Sequence, residues 1–244
     1  MEIAEKKLGI PADYQYRALR FGPWIQRNWH KNKFSVFEET IPMSPRYNVL
    51  DLGTGSGNFE LLFSHRYKSI AGVDYHDRAL EFLGSQLRER SIGNVTLWLA
   101  DIRKLPKGVI QKRYDLITII DTLEHIKIDE AALVLKQLSN LLNKGGEILI
   151  ITPNSQSPWK LIEWLLDKMT LVPKFAGQQH LAKFTPDSLR CLLESVGIRP
   201  TRHFTFNLVS YLWPWDGLNK AFLSLERDYL GDLGCLLCVV GKKV

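Results

Sequence analysis

One segment, Val49-Leu50-Asp51-Leu52-Gly53-Thr54-Gly55-Ser56-Gly57-Asn58, limits what this chain can fold into more than any other. It reads as a buried strand, a glycine-rich turn and the start of a helix. Glycines in such a turn let backbone N–H groups approach a ligand that a Cβ would hold off. The spacing is Gly-x-Gly-x-Gly, which differs from the Gly-x-Gly-x-x-Gly of dinucleotide sites and argues against a dehydrogenase. Asp51 lies just before the first glycine, where a carboxylate repels a pyrophosphate and suits a positively charged ligand. A second apolar run, Ile70-Ala71-Gly72-Val73, ends at Asp74. That is where a parallel sheet places the acid that accepts from ribose hydroxyls. The loop and the two acids together specify a cationic, ribose-bearing ligand.

Further segments follow in order: Gly72-Val73-Asp74-Tyr75, Leu99-Ala100-Asp101-Ile102, Tyr114-Asp115-Leu116-Ile117, Asp121-Thr122-Leu123-Glu124-His125-Ile126, Leu142-Asn143-Lys144-Gly145-Gly146-Glu147, and Phe184-Thr185-Pro186 with Leu189. With these motifs the chain resembles the class I S-adenosylmethionine-dependent methyltransferases, in the group that includes the ubiquinone-biosynthesis O-methyltransferases. The resemblance implies an α/β, Rossmann-like fold. Its seven-stranded, mostly parallel sheet would run in the order 3-2-1-4-5-7-6, with helices on both faces. It also implies S-adenosylmethionine as cofactor. Asp51 and the backbone of Gly53, Thr54 and Gly55 would face its methionine part, and Asp74 its ribose. Tyr75, Asp101 and Ile102 would line the adenine pocket, and Asp121 would lie beside the methyl-transfer centre.

Periodicity alone gives strands at Asn48–Leu52, Ser69–Asp74, Val95–Ala100, Tyr114–Ile120 and Gly146–Thr152. Helices are expected near 57–65, 77–90 and 129–142. Asp77 and Asp129 are the expected caps of the last two, and Asn143 to Gly146 the expected glycine stop. Thr185 and Pro186 open a helix ending at Gly197, followed by strands near 200–206 and 235–240. The chain divides into a helical cap at 1–46, a cofactor-binding core at 47–152, a lid insertion at 153–182 and a C-terminal part at 183–244 with a second insertion at 208–234. Trp159, Trp164, Phe175, Tyr211, Trp213 and Trp215 fall in the insertions. Either they close with Trp24 and Trp29 over an apolar pocket, or they pack on one another or at a dimer interface.

The loop after the fourth strand lacks the [Asn/Asp]-Pro-Pro-[Tyr/Phe] of base and glutamine amino-methyltransferases. His125 and His180 are the candidate general bases, since histidine can take a proton from a hydroxyl acceptor near neutral pH. A structural role for His125 competes with this. So does a divalent-ion site built from Asp121, Glu124 and His125 and completed by His180; no metal is assigned. Cys235-Leu236-Leu237-Cys238 sits in an apolar run and reads as strand interior, not a redox pair.

A net charge of +6 and a pI near 9.2 permit an anionic or lipid-surface partner, but the charges are scattered. Nucleic acid is the less favoured partner, and the acceptor is expected to be a small or lipid-like molecule. With neither a signal-peptide core nor a long apolar run, a cytoplasmic enzyme is the expectation.

Overall fold

The computed structural model describes residues 11–158, 181–229 and 231–244. Two helices, α1 (Tyr14–Phe21) and α2 (Trp24–Thr40), precede the sheet. They break at Gly22-Pro23, because the proline ring favours a new helix start and disfavours helical backbone in the residue before it. Then follow β1 (Asn48–Leu52), α3 (Asn58–Phe63), β2 (Ser69–Asp74), α4 (Asp77–Glu89), β3 (Val95–Leu99), α5 (Lys107–Ile110) and β4 (Tyr114–Ile120). The chain continues through α6 (Ile128–Leu141), β5 (Leu142–Pro153), α7 (Pro186–Ser195), β6 (Ile198–Phe206), α8 (Asp216–Tyr229) and β7 (Leu236–Lys243).

The strands form one sheet in the order β3-β2-β1-β4-β5-β7-β6. The strands from β3 to β5 run parallel, while β7 is antiparallel to both β5 and β6. Alternate strand residues supply two cores, as the two-residue period of a strand requires. Leu50, Leu52, Ile117, Ile119, Ile148 and Ile150 pack toward α6 and α7. Val49, Leu116, Leu149 and Ile151 pack toward Val36 and Phe37 of α2, Phe59 and Phe63 of α3, and Leu223 of α8. With both faces covered, the parallel strands end at one edge, where an open α/β sheet binds its ligands.

Several local expectations shift. The cap of α4 is His76, whose imidazole Nδ1 accepts from Ala79 N at 3.1 Å; Asp77 is the first helical residue. At α6 the helix begins at Ile128, and Glu130 reaches back to accept from Lys127 N at 3.0 Å. No glycine stop separates α6 from the next strand. The helix passes at Leu142 straight into β5, and Gly145 takes its left-handed turn (φ 77°) inside that strand. Thr185 does cap α7, accepting from Ser188 N at 3.1 Å. Cys235 and Cys238 are buried free thiols, and burial pushes the Cys235 thiol up to about 12.

The second insertion is held by a buried polar network. Asn32 of α2 donates to Asn207 Oδ1 at 2.7 Å, and Asn28 donates to Trp213 O at 2.7 Å. Glu226 of α8 accepts from Ser210 N at 2.7 Å, from the Ser210 hydroxyl at 2.8 Å and from Val209 N. The insertion's aromatics pack within this assembly. Tyr211 meets Trp29 edge-to-face at 5.0 Å, and Trp213 stacks on Phe222 at 4.9 Å. Trp159, Trp164, Phe175 and His180 lie outside the described residues. Among the described residues, no helix is long and apolar enough to cross a membrane.

Candidate active site

The glycine loop leaves β1 with Gly53, Gly55 and Gly57 at φ 78°, 53° and 78°, in left-handed backbone that a side chain would strain. Each is also crowded. A Cβ on Gly53 would lie 1.8 Å from Thr122 Oγ1, and one on Gly55 would lie 2.3 Å from Gln15 Oε1. The loop is therefore pressed between the β4 turn on one side and α1 on the other. Gly53 N donates to Val73 O at 2.8 Å, tying the loop to β2.

Asp74 ends β2 and is almost fully buried. One carboxylate oxygen accepts from Gly55 N at 2.7 Å and the other from His76 N at 2.8 Å. The predicted ribose acid thus fixes the predicted loop. Tyr75 follows it at the same sheet edge, half-buried. Next along the edge, Ile102 is buried in the core, while Asp101 is gripped by Arg103. Both the backbone N and Nε of Arg103 donate to Asp101 Oδ1 at 2.9 Å. These bonds hold the Asp101 carboxyl below its usual range, and Arg103 also pairs with Glu130 at 2.8 Å.

Beneath the loop, Asp51 is buried and accepts from the Thr118 hydroxyl at 2.5 Å. Burial pushes its carboxyl up to about 6, against the lowering effect of hydrogen bonds from Thr118, Glu60 and Thr54. Thr54 is buried and donates its hydroxyl to Asp51 O at 3.3 Å. Glu60 of α3 is wholly buried, and burial followed by the charge of Asp51 raises its carboxyl well above the ordinary value.

At the end of β4, Asp121 adopts φ 50°, a left-handed conformation that aspartate tolerates better than most residues. Its carboxylate pairs with Lys33 of α2, whose side chain is 3% exposed. His30, one turn earlier, is held down to about 3 by desolvation and by the Lys33 cation, opposed by Asp121. It is a neutral imidazole at neutral pH. Glu124 is buried, accepts from the Thr152 hydroxyl at 3.0 Å, and is pushed up to about 7 by burial and the nearby Asp121 charge. His125 closes the short helical turn after β4, its N–H donating to Thr122 O at 3.1 Å. Among the described residues, no three His, Cys, Asp or Glu side chains are arranged to hold a metal ion.

The site also uses residues that the sequence did not single out. Tyr16 N donates to Ser56 Oγ at 2.9 Å, Asn58 Nδ2 to Gln15 O at 2.9 Å, and Arg20 to Asn58 Oδ1 at 2.7 Å. Through these bonds α1 closes over the glycine loop. Glu60 carried a signal, a lone acid in the apolar run Phe59 to Phe63; Gln15 and Lys33 carried none.

A loop of cramped left-handed glycines, with buried acids below it and at the next strand end, fits a cationic nucleoside. This fold and site define an S-adenosylmethionine-dependent methyltransferase of class I. A methyltransferase-domain family model matches residues 14–203, and the chain belongs to that family. It is 30% identical over 232 residues to the ubiquinone/menaquinone biosynthesis C-methyltransferase UbiE of Shewanella oneidensis, covering 89% of this chain and 85% of that protein. It is 32% identical over 119 residues to the (S)-coclaurine N-methyltransferase of Thalictrum flavum, covering 47% and 31%. Among solved structures, the N-methyltransferase NodS of Bradyrhizobium japonicum with S-adenosyl-L-homocysteine superposes with a TM-score of 0.62 at 13% identity, covering 98% and 95%. The magnesium protoporphyrin IX methyltransferase of Synechocystis, also with S-adenosyl-L-homocysteine, gives 0.62 at 14% identity, covering 94% and 92%.

Proposed function

We propose that this enzyme methylates an O, N or C nucleophile on a small, ring-bearing or lipid-like acceptor. In this reading Asp51, Gly53, Thr54 and Gly55 hold the methionine end of the cofactor. Asp74 holds its ribose, and Tyr75, Asp101 and Ile102 its adenine. Asp121 stands at the methyl end and His125 on the acceptor side, with His180 the second candidate base. Bound there, S-adenosylmethionine supplies a methyl group already activated on its sulfonium. The chain's own work is then to align the nucleophile, exclude water and hold protons. His125 takes a proton from a hydroxyl acceptor, and Glu124, poised near neutrality beside it, sets the local charge.

The observation that carries this reading is the Asp74 carboxylate, which binds the loop through Gly55 N at the sheet edge. The acceptor class draws support from the relatives, one a ubiquinone/menaquinone biosynthesis C-methyltransferase and one an (S)-coclaurine N-methyltransferase. Peripheral contact with a lipid surface belongs to the same reading. Phe21, Trp24, Leu212 and Trp215 are exposed, and Arg27, Lys31 and Lys220 surround Asp216 next to Trp215.

The test is calorimetric titration with S-adenosylmethionine. Asp74→Ala removes the acceptor for Gly55 N and for the ribose, two charge-assisted bonds worth together about 3 kcal/mol, or about 100-fold in affinity. Binding unchanged by Asp74→Ala would overturn the site.

A further inference from the structure

We propose that Glu60 is a specificity residue of the cofactor site: with Asp51 it holds a proton that a cationic cofactor drives out, so the site favours the sulfonium substrate over the thioether product. This rests on the reading that Asp51 lies at the methionine end.

The two carboxyl groups are placed together by the sheet. Asp51 of β1 is in register with Gly72 of β2 on one side and Thr118 of β4 on the other. Thr118 gives Asp51 a hydroxyl donor. Gly72 gives it empty space: a Cβ there would lie 3.0 Å from Glu60 Oε1 and 2.9 Å from Thr54 Oγ1. The missing side chain at Gly72 is what lets Glu60 reach the Asp51 side of the sheet from α3.

Glu60 is 0% exposed, and neither of its carboxyl oxygens meets a protein donor. A buried carboxylate with no donor is far costlier than a carboxylic acid, so Glu60 keeps its proton beside Asp51. The charged groups acting on the pair are the two carboxyls themselves and Asp74, all acidic. The site therefore stores a proton where negative charge would otherwise accumulate.

S-adenosylmethionine and S-adenosylhomocysteine share adenine, ribose and the amino-acid zwitterion. They differ by one methyl group and one positive charge. A cation near the pair stabilises its ionised form, so binding the sulfonium releases a proton from the pair to solvent. Binding the thioether, which brings only the ammonium that both ligands share, releases a smaller fraction. After methyl transfer the cation is gone, the pair takes a proton back from solvent, and the hold on the product weakens. Any effect of Asp74 on ribose binding is common to both ligands and cancels in their ratio.

Calorimetry of both ligands in two buffers of different ionisation enthalpy counts the protons. At pH 7, S-adenosylmethionine should release a larger fraction of one proton than S-adenosylhomocysteine. The affinity ratio of the two should rise between pH 6 and pH 8, with about tenfold per pH unit as the ceiling for one linked proton. Glu60→Gln keeps a donor toward Asp51 but has no proton to lose, so it should abolish the difference in proton count at pH 7 and flatten the ratio. Equal proton counts for the two ligands in the native protein would overturn the proposal, and that measurement needs no variant. A ratio that still rises in Glu60→Gln would overturn it as well. Failure of the underlying site would look different, as loss of all binding or as binding indifferent to Asp74→Ala.

Discussion

The glycine-loop end of the sheet and the helical cap that covers it are both dense in hydrogen bonds, but they are built on different length scales. The loop is held by short-range contacts: Gly53 bonds to Val73, and Gly55 bonds to Asp74 at a separation of 19 residues. The cap is held by partners far apart in the chain. Asn32 meets Asn207 across 175 residues, and Asn28 meets Trp213 across 185. The first kind of structure writes itself into a motif, because spacing fixes geometry within one βαβ unit. The second depends on where α2 and the 207–229 segment dock, which no local pattern encodes. The loop should therefore govern cofactor affinity, and the cap network should govern stability.

Glu226→Ala tests that division with the largest expected effect. Glu226 is 1% exposed and accepts from Ser210 N, the Ser210 hydroxyl and Val209 N. Truncation strands three donors, two of them buried, and should cost about 3 kcal/mol in denaturant unfolding. Glu226→Gln keeps one oxygen acceptor and should cost roughly 1 kcal/mol. Affinity for S-adenosylmethionine should change less than about twofold in either variant, since no member of this network touches the glycine loop. A parallel collapse of affinity and stability would break the comparison and make the cap part of the cofactor site.

Lys33→Met probes the point where the two regions meet. Lys33 comes from the cap, while Asp121 ends β4, with its neighbour Thr122 against Gly53. Lys33 is buried, but Asp121 keeps 24% of its side-chain surface in water. Solvent therefore relieves much of the charge left behind, and the loss should be about 2 kcal/mol, below that for a fully buried pair. Asp121→Asn in the Lys33→Met background should cost less than it does alone. A double-mutant cycle in thermal unfolding should then show a coupling of about 1 kcal/mol. No coupling would separate cap and loop completely.

The same contrast explains how much was legible beforehand. The strand order, the tight turn through Gly53, Thr54 and Gly55, and the placing of Asp51 and Asp74 at strand ends could all be read from motif and resemblance. The N-cap of α4 could not, because His76 is a less usual cap than the aspartate beside it. The end of α6 was misread because glycines suggest a helix stop, yet β5 incorporates Gly145 and Gly146 as strand residues. Lys33 carries no local signal, and only docking shows that it is buried against Asp121. The insertion aromatics allowed two readings. For Tyr211 the structure gives an edge contact with Trp29, and for Trp213 a stacked one with Phe222.

The smallest effect is expected at Arg103, and it sharpens the comparison from the cofactor side. Arg103 forks onto Asp101 and reaches Glu130, with about a quarter of each side chain in solvent. Such partly exposed pairs contribute little, so Arg103→Ala should cost less than about 1 kcal/mol of stability. Its acid partners respond in a fixed direction. Arg103 holds the Asp101 carboxyl low, and adds to the Lys127 backbone N–H that chiefly lowers Glu130, so its stabilising effect is present above the ordinary carboxylate range and fades as pH falls through the lowered values. Wild type and Arg103→Ala should accordingly converge in stability as pH falls below the ordinary carboxylate range. The variant also frees the Asp101 carboxylate at the strand edge. If Asp101 receives the adenine amino group, Arg103→Ala should leave S-adenosylmethionine affinity unchanged or modestly tighter, whereas Asp101→Asn should weaken it by roughly tenfold, the worth of one charge-assisted bond. If Asp101 serves only to brace its own turn through Arg103, both substitutions should loosen that turn together and weaken binding alike. Titrating the two variants side by side at pH 7.5 decides which role Asp101 has.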